Sequence, residues 1–419
     1  MHGSKTQLHR PRSYFKTILT GSLAAMLLLT VLLPSSPARA QQNPAETDVE
    51  YTFGEKITFL ARIHFDLLDQ PIKKINIFIS PQGETTTKRD EMRLLDDNEA
   101  NYDYDYTIDQ NLPRAFSKVE YHYRITLQDE KTIDTSPQYF NYIDNRHEWF
   151  SLQEDAFQAN WYEGDVQLGQ RVLDVAQSGL QRLQSLMSVP PLQETINIYV
   201  YPNTKEMQSV LKDGQNWVAG HADPDLGVIV VALPAGPEQR LLTEQRVPHE
   251  LMHVMLYHKL GPNYANLPTW LSEGLASIAE LYPNPDYQLL INNAYQKDNL
   301  LPFSSLCNGF PRDASNALLA YAQSASFTRY LHGEFGSNGM DALVAAYGNG
   351  LTCERGIEVA TGLSLTQLER QWREQTFSEN TQLTAINNLL PWIVLLIVVL
   401  GAPLSLALLS MRSQPAAVL

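Results

Sequence analysis

From Leu389 to Met411 the chain reads LLPWIVLLIVVLGAPLSLALLSM, 23 residues without a charge. No other stretch restricts the fold as much. About 20 apolar residues in a helix span a bilayer, and this run leaves no polar face to turn toward water. It predicts one transmembrane helix, with Pro391 at its start, Trp392 at the interface, and Gly401 and Pro403 as kink points. Arg412 follows at once and favours a short cytoplasmic tail.

The other end of the chain carries a matching signal. Lys5, Arg10, Arg12 and Lys16 precede the largely apolar stretch Ile18–Leu33, and SSPARA offers Ala38-x-Ala40 before Gln41. Residues 1–40 are therefore expected to be a signal peptide; the alternative is an uncleaved anchor. Either reading puts residues 41–388 outside the cytoplasm, in a single-pass protein of the cell membrane.

Composition adds exclusions. With 44% hydrophobic and 18% charged residues over 419 positions, the external part is long enough for two folded domains. A formal charge of −15 argues against nucleic-acid binding and against adhesion to anionic lipid. Only two cysteines occur, Cys307 and Cys353. In an exported chain a disulfide between them is the natural expectation, two buried thiols the alternative.

Residues 48–145 read as β structure. In KITFLARIHF the residues Ile57, Phe59, Ala61, Ile63 and Phe65 share one side. IKKINIFIS, NYDYDYTI, KVEYHYRITLQ and KTIDTSPQYFNYI follow between turn-forming residues. The pattern predicts an antiparallel β-sandwich of immunoglobulin-like type. Alternation makes packing, rather than ligand binding, the expected role of Tyr102, Tyr104, Tyr106, Tyr121 and Tyr123.

From residue 150 to 378 the pattern turns mainly helical. Asp165–Met187 has helical periodicity, ETINIYVYPN is a strand, and VAGHADPDLGVIVVAL reads as a loop and a second strand. Three or four further helices are expected after the segment QRVPHELMHVMLYHKLG. Strands first and a helical lobe second make an α+β fold.

That segment contains HELMH. A helix advances about 100° per residue, so His249 and His253 lie on one face with Glu250 beside them. Two histidines are half a zinc site. Glu273, in LPTWLSEGLASIAELY, lies 20 residues beyond His253, far enough for a second helix, capped by Thr269, to pack back. Two imidazoles and one carboxylate suit a single Zn2+ ion and leave a position for water, the pattern of catalytic sites. The alternative is a core helix with satisfied histidines, but burying His249, Glu250 and His253 together without partners costs roughly 1–3 kcal/mol each.

HExxH followed by a W-L-x-E-G helix resembles the gluzincin branch of zinc metallopeptidases, in particular the peptidase MA-like family. The resemblance extends over roughly residues 160–375 and includes AGHADPDLGVIVV, ALLAYAQSASFTRYLHGEFG and TGLSLTQLERQW. It implies a zincin-type domain hydrolysing peptide or protein substrates. It also implies His249, His253 and Glu273 as zinc ligands and Glu250 as general base. Two departures stand out. Many gluzincins carry an acid four residues after the third ligand, where this chain has Ser277, leaving Glu280 as the substitute. Pro248 precedes the motif, so the helix either starts there or is kinked.

Other roles are more open. Tyr321 is the candidate for oxyanion stabilisation, with Tyr330 and His332 as alternatives. His221 reads as a loop histidine, or else as a substrate contact or as a fourth metal contact that would make the site structural. His258 is expected to face solvent or a neighbouring helix. Gly227–Leu233 is expected to offer a strand edge to an extended peptide. The rival to a metallopeptidase is a cell-surface binding protein with an inert metal lobe.

Overall fold

The computed structural model describes residues 43–95, 101–108, 111–211, 218–377, 389–397 and 399. The expected signal peptide lies outside the described residues, as does most of the expected span Leu389–Met411. The described part of that span is helical and exposed. No helix among the described residues is long and apolar enough to cross a membrane.

Among the described residues the N-terminal region holds nine strands, the longer of them with period-two alternation. They are β1 (Ala45–Thr52), β2 (Lys56–Ile63), β3 (Ile72–Pro81), β4 (Lys88–Glu91), β5 (Arg93–Leu94), β6 (Asn101–Thr107), β7 (Lys118–Leu127), β8 (Thr132–Asp134) and β9 (Gln138–Asn141). One antiparallel sheet has the order β1-β2-β6-β5; the other runs β4-β3-β7-β8, with β9 also on β7. Ile57, Phe59 and Ala61 of β2 share one core with Ile75, Ile77 and Ile79 of β3 and with Tyr121, Tyr123 and Ile125 of β7. Tyr102, Tyr104 and Tyr106 belong to the same core, so these tyrosines pack. Phe65 departs from the expected pattern. β2 stops at Ile63, and Phe65 sits in a 3₁₀ turn, 38% exposed.

The next region holds more sheet than its helical periodicity predicts. It contains β10 (Phe150–Glu154), β11 (Phe157–Trp161), α1 (Val166–Leu186), β12 (Ile196–Tyr201), α2 (Thr204–Gln208), β13 (Gly220–Asp223) and β14 (Val228–Ala232). The strands form a five-stranded mixed sheet in the order β10-β11-β12-β14-β13. β14 is therefore internal, and the edge beside it is β13. The expected free edge at Gly227–Leu233 is corrected accordingly.

Alternation along this sheet sorts its two faces. Ile196, Ile198, Val200, Ile229 and Val231 join the core under the helices, whereas Tyr201, Val228, Val230 and Ala232 join the core of the N-terminal sheets. Both faces are covered, which is why VIVVA is apolar throughout.

The remaining helices are α3 (Gln239–Leu260), α4 (Thr269–Ala279), α5 (Asp286–Gln296), α6 (Ala314–Gly348), α7 (Cys353–Thr361) and α8 (Leu365–Phe377). α6 is broken at Gly336, whose φ of 63° lies in the region glycine tolerates. Cys307 and Cys353 form a disulfide with a Cα–Cα distance of 6.0 Å. The result is a mixed α+β fold, antiparallel sheets first and a helical region last.

Candidate metal centre

α3 begins at Gln239, so Pro248 lies inside it rather than at its start. A proline has no N–H to give the carbonyl four residues back, here Glu244. That carbonyl instead accepts from the N–H of Leu281 at 2.9 Å. Pro248 thus creates a docking point for the chain that leaves α4. Its ring is buried in α3, and a Cβ on Gly179 of α1 would press against it at 3.1 Å.

The docking has a consequence at the next residue. Glu280, adjacent to Leu281, brings Oε1 to 3.1 Å from Nδ1 of His249. The carboxylate can only accept, so His249 donates through Nδ1–H and turns Nε2 away. His253 is held by neutral groups instead, with Tyr264 Oη at 3.0 Å and Ser272 Oγ at 3.3 Å from its Nδ1. Both Nε2 atoms face Glu273 Oε2, at 3.3 Å from His249 and 3.7 Å from His253.

Glu273 arrives on α4. Gly261, with φ of 59°, ends α3, and a 3₁₀ turn over Gly261–Asn266 reverses the chain. The expected cap at Thr269 is displaced by one residue. Pro268 occupies the N-cap position, and Thr269 is the first helical residue, its N–H donating to Cys307 O at 3.0 Å.

The electrostatics follow from these partners. Burial works to lower the His249 pKa, but Glu273 and Glu280 outweigh it and hold the imidazole well above its ordinary range. For His253 burial prevails over Glu273 and Glu250, and the pKa falls, because hydroxyls rather than a second carboxylate face its Nδ1. Burial would raise the Glu273 carboxyl; the two imidazoles bring it below the usual range.

The donor set fits a metal ion. Ligand atoms of His249, His253 and Glu273 all lie within 4.8 Å of one another, the one such group among the described residues. Ligands about 2.0–2.2 Å from a tetrahedral ion stand roughly 3.3–3.6 Å apart, close to the separations seen between Glu273 Oε2 and the two rings. Oε2 of Glu273 is buried and has no hydrogen-bond partner among the described residues. A buried carboxylate oxygen left so is costly unless a cation completes it.

Around these residues lies a cleft of about 530 Å³, lined in part by Gly220, His221, Arg246, Glu250, Tyr287 and Tyr321. Glu250 is buried, 8% exposed, and a Cβ on Gly220 would overlap its carboxylate, so glycine lets β13 pass close by. Tyr321 lines the cleft with its ring 6.3 Å from that of His249. Burial, reinforced by Glu273 and Glu250, raises the Tyr321 phenol and keeps it a hydrogen-bond donor. Tyr330 points elsewhere and donates to Gln371 Oε1 at 3.1 Å. His221 is on strand β13, not in a loop, and stands apart from the three-ligand group.

Sequence reading missed Tyr264, Ser272 and Tyr287. Burial pushes the Tyr264 phenol up to about 12, so it stays protonated beside His253. No local pattern marks these residues: Tyr264 comes from the 3₁₀ turn, Ser272 from α4 and Tyr287 from α5, and they converge only in the fold.

Residues 175–378 match the model of the Peptidase MA superfamily. No curated protein matches the chain. Similar solved structures include a purple acid phosphatase from yellow lupin (Lupinus luteus) seeds. It is 9% identical over 38% of this chain and 29% of that chain, with a TM-score of 0.20. A polysaccharide deacetylase from Bacillus cereus is 7% identical over 45% of this chain and 60% of that chain, also with a TM-score of 0.20. The chain thus spans less than two thirds of either, and similarity at this level assigns neither fold nor function.

Proposed function

We propose, from the premise that residues 175–378 form a Peptidase MA superfamily domain, that this chain is a zinc-dependent peptidase. The observation that carries the reading is the Glu273 carboxylate, set between two imidazoles with a buried oxygen that has no hydrogen-bond partner among the described residues and with Glu250 in the same cleft.

His249, His253 and Glu273 would hold one Zn2+ ion. When bound, such an ion supplies positive charge that acidifies a water and polarises a scissile carbonyl. Glu250, on the same helix and beside the cleft, accepts the water proton and returns it to the leaving amine. Tyr321 donates a hydrogen bond to the oxygen on which charge develops. Glu280 fixes the His249 ring, and Tyr264 with Ser272 fixes His253, so neither imidazole reorients during turnover.

The same reading extends to the whole chain. Residues 1–40 direct export, Leu389–Met411 anchors the protein in the membrane, and the peptidase works outside the cytoplasm. The disulfide suits that compartment. The N-terminal sheets are an immunoglobulin-like sandwich module attached to the catalytic region.

Glu250→Gln is the discriminating test. It preserves size and the three ligands while removing the base. Zinc content of the purified protein should persist, and cleavage of a peptide library should fall by about 10²–10⁴-fold. Undiminished cleavage by Glu250→Gln would overturn the mechanism.

A further inference from the structure

Two loops of the N-terminal region close on the turn between β13 and β14. Arg114, in the segment before β7, donates through Nη1 to Asp223 Oδ1 at 2.9 Å and to Asp225 Oδ1 at 3.0 Å. Its Nη2 donates to the other oxygen of Asp225. Gly83, in the turn after β3, lies over this pair with φ of +78°. A Cβ there would overlap both the guanidinium and the Asp225 carboxylate. Position 83 therefore favours glycine twice, for its backbone angle and for the approach of the ion pair. The bidentate geometry is the strong form of a charged hydrogen bond, at partial burial of 27% exposure for Arg114 and 22% for Asp225.

Strand alternation carries this contact to the cleft. Gly220 and Ala222 pair with Val231 and Ile229, whose side chains face the helical core. His221 and Asp223 pair with Val230 and Val228, which face the core of the N-terminal sheets. His221 and Asp223 therefore share a face, with Nε2 of His221 3.7 Å from Asp223 Oδ1. Because β13 is the edge strand, His221 also reaches the rim of the cleft, with 42% of its side chain exposed. Burial works to lower the His221 pKa, yet Asp223 and then Glu250 outweigh it and raise it.

We propose that His221 contacts the substrate in this cleft, and that Arg114 is a positioning residue that orients it by holding Asp223. The inference rests on the peptidase reading above. The imidazole supplies an N–H donor on the β13 side of a cleft that also holds the carboxylates of Glu250, Glu273 and Glu280. A peptide carbonyl entering beside Glu250 is the acceptor it suits. The N-terminal β region then acts in recognition, because a loop of that region sets the angle of a residue in the cleft.

The test uses the full chain and a peptide that the parent cleaves. Affinity for that peptide is measured by fluorescence anisotropy in the zinc-loaded Glu250→Gln protein, and kcat and KM are measured in the parent background. His221→Ala should weaken binding by about tenfold, the usual scale for a lost hydrogen bond, and raise KM with zinc content unchanged. Arg114→Ala should weaken it by a smaller factor of about three. The double variant should bind no worse than His221→Ala alone, since without the ring there is nothing left to orient. Asp225→Asn loosens the guanidinium without touching Asp223, and should give a partial version of the Arg114 effect even if Arg114→Ala fails to fold.

Unchanged affinity and KM in His221→Ala would overturn the contact, and additive losses in the double variant would overturn the positioning role. Zinc loss in His221→Ala would make the residue a ligand and overturn both. A parent that cleaves no peptide takes down the peptidase reading and this inference with it. A parent that cleaves, with His221→Ala unaltered, removes this inference alone.

Discussion

Two carboxylates with buried oxygens divide this molecule into a region that is finished and one that is not. Asp144 lies at the junction between the N-terminal sheets and β12 and is 0% exposed. It accepts from Arg146 Nε at 2.7 Å, from Arg146 Nη2 at 2.8 Å and from Tyr201 Oη at 3.0 Å. Glu273, in the cleft, has imidazoles at 3.3 and 3.7 Å and an oxygen with no hydrogen-bond partner among the described residues. Both carboxyls are held below the usual range. The difference lies in completeness. A carboxylate whose hydrogen bonds are filled by its own chain explains itself as structure. One left short, beside two nitrogens aimed at the same point, asks for a cation from outside.

Glu273→Gln is the strongest way to break the contrast. A neutral amide is a poorer zinc ligand than a carboxylate, so the variant should bind zinc far more weakly. The parent, at zinc 100-fold above its dissociation constant, should gain about 2.7 kcal/mol of stability from the metal. The variant should lose that gain under the same conditions. Thermal unfolding with and without zinc reads both. An equal zinc-dependent shift in parent and variant would show that Glu273 is not a ligand.

Glu280→Ala sharpens the comparison at one remove. The backbone bond from Leu281 to the Glu244 carbonyl does not involve the Glu280 side chain, so the helix docking should survive. What goes is the acceptor on Nδ1 of His249. Loss of such an orienting partner should cost about 10–100-fold in zinc affinity, measured by competition with a chelator. Unaltered affinity would leave Glu280 a packing residue only.

These partners also mark how far sequence reading goes. His249, Glu250 and His253 were legible because a helix repeats locally, and Glu273 because its helix follows after one turn. Glu280 was visible only as a substitute for the acid missing at Ser277. The strands β10 and β11 were not resolved as strands, since five residues between an irregular boundary and a helix carry little periodicity. β13 reads as a loop in the sequence for the same reason, with Gly220 and a following proline-containing turn. Arg114 could not have been found at all. Its partners Asp223 and Asp225 lie 109 and 111 residues away, and nothing local in the segment NLPRAFS encodes so distant a contact. Pro248 marks a helix start or a kink from sequence alone; the fold keeps it inside α3 and uses the freed Glu244 carbonyl to seat the chain leaving α4.

The smallest expected effect tests the finished side. Burial alone would raise the Asp144 carboxyl, but hydrogen bonds from Arg146 and Tyr201 outweigh it and hold the group below its ordinary value. A carboxyl whose folded pKa is depressed adds stability that is fully present above the unfolded value, near 3.9, and is lost as pH falls through the folded value. Asp144→Asn removes that contribution at every pH. At neutral pH it should lower stability by about 1–3 kcal/mol, the scale for leaving buried hydrogen-bonding partners unfilled. Denaturant midpoints should show the deficit at pH 7, and the gap to the parent should narrow below about pH 4 as the parent's own carboxyl protonates. Zinc affinity should stay at the parent value, because Asp144 belongs to the junction and not to the cleft. A gap that held constant down to the acid limit would mean that Asp144 acts through packing rather than through its charge.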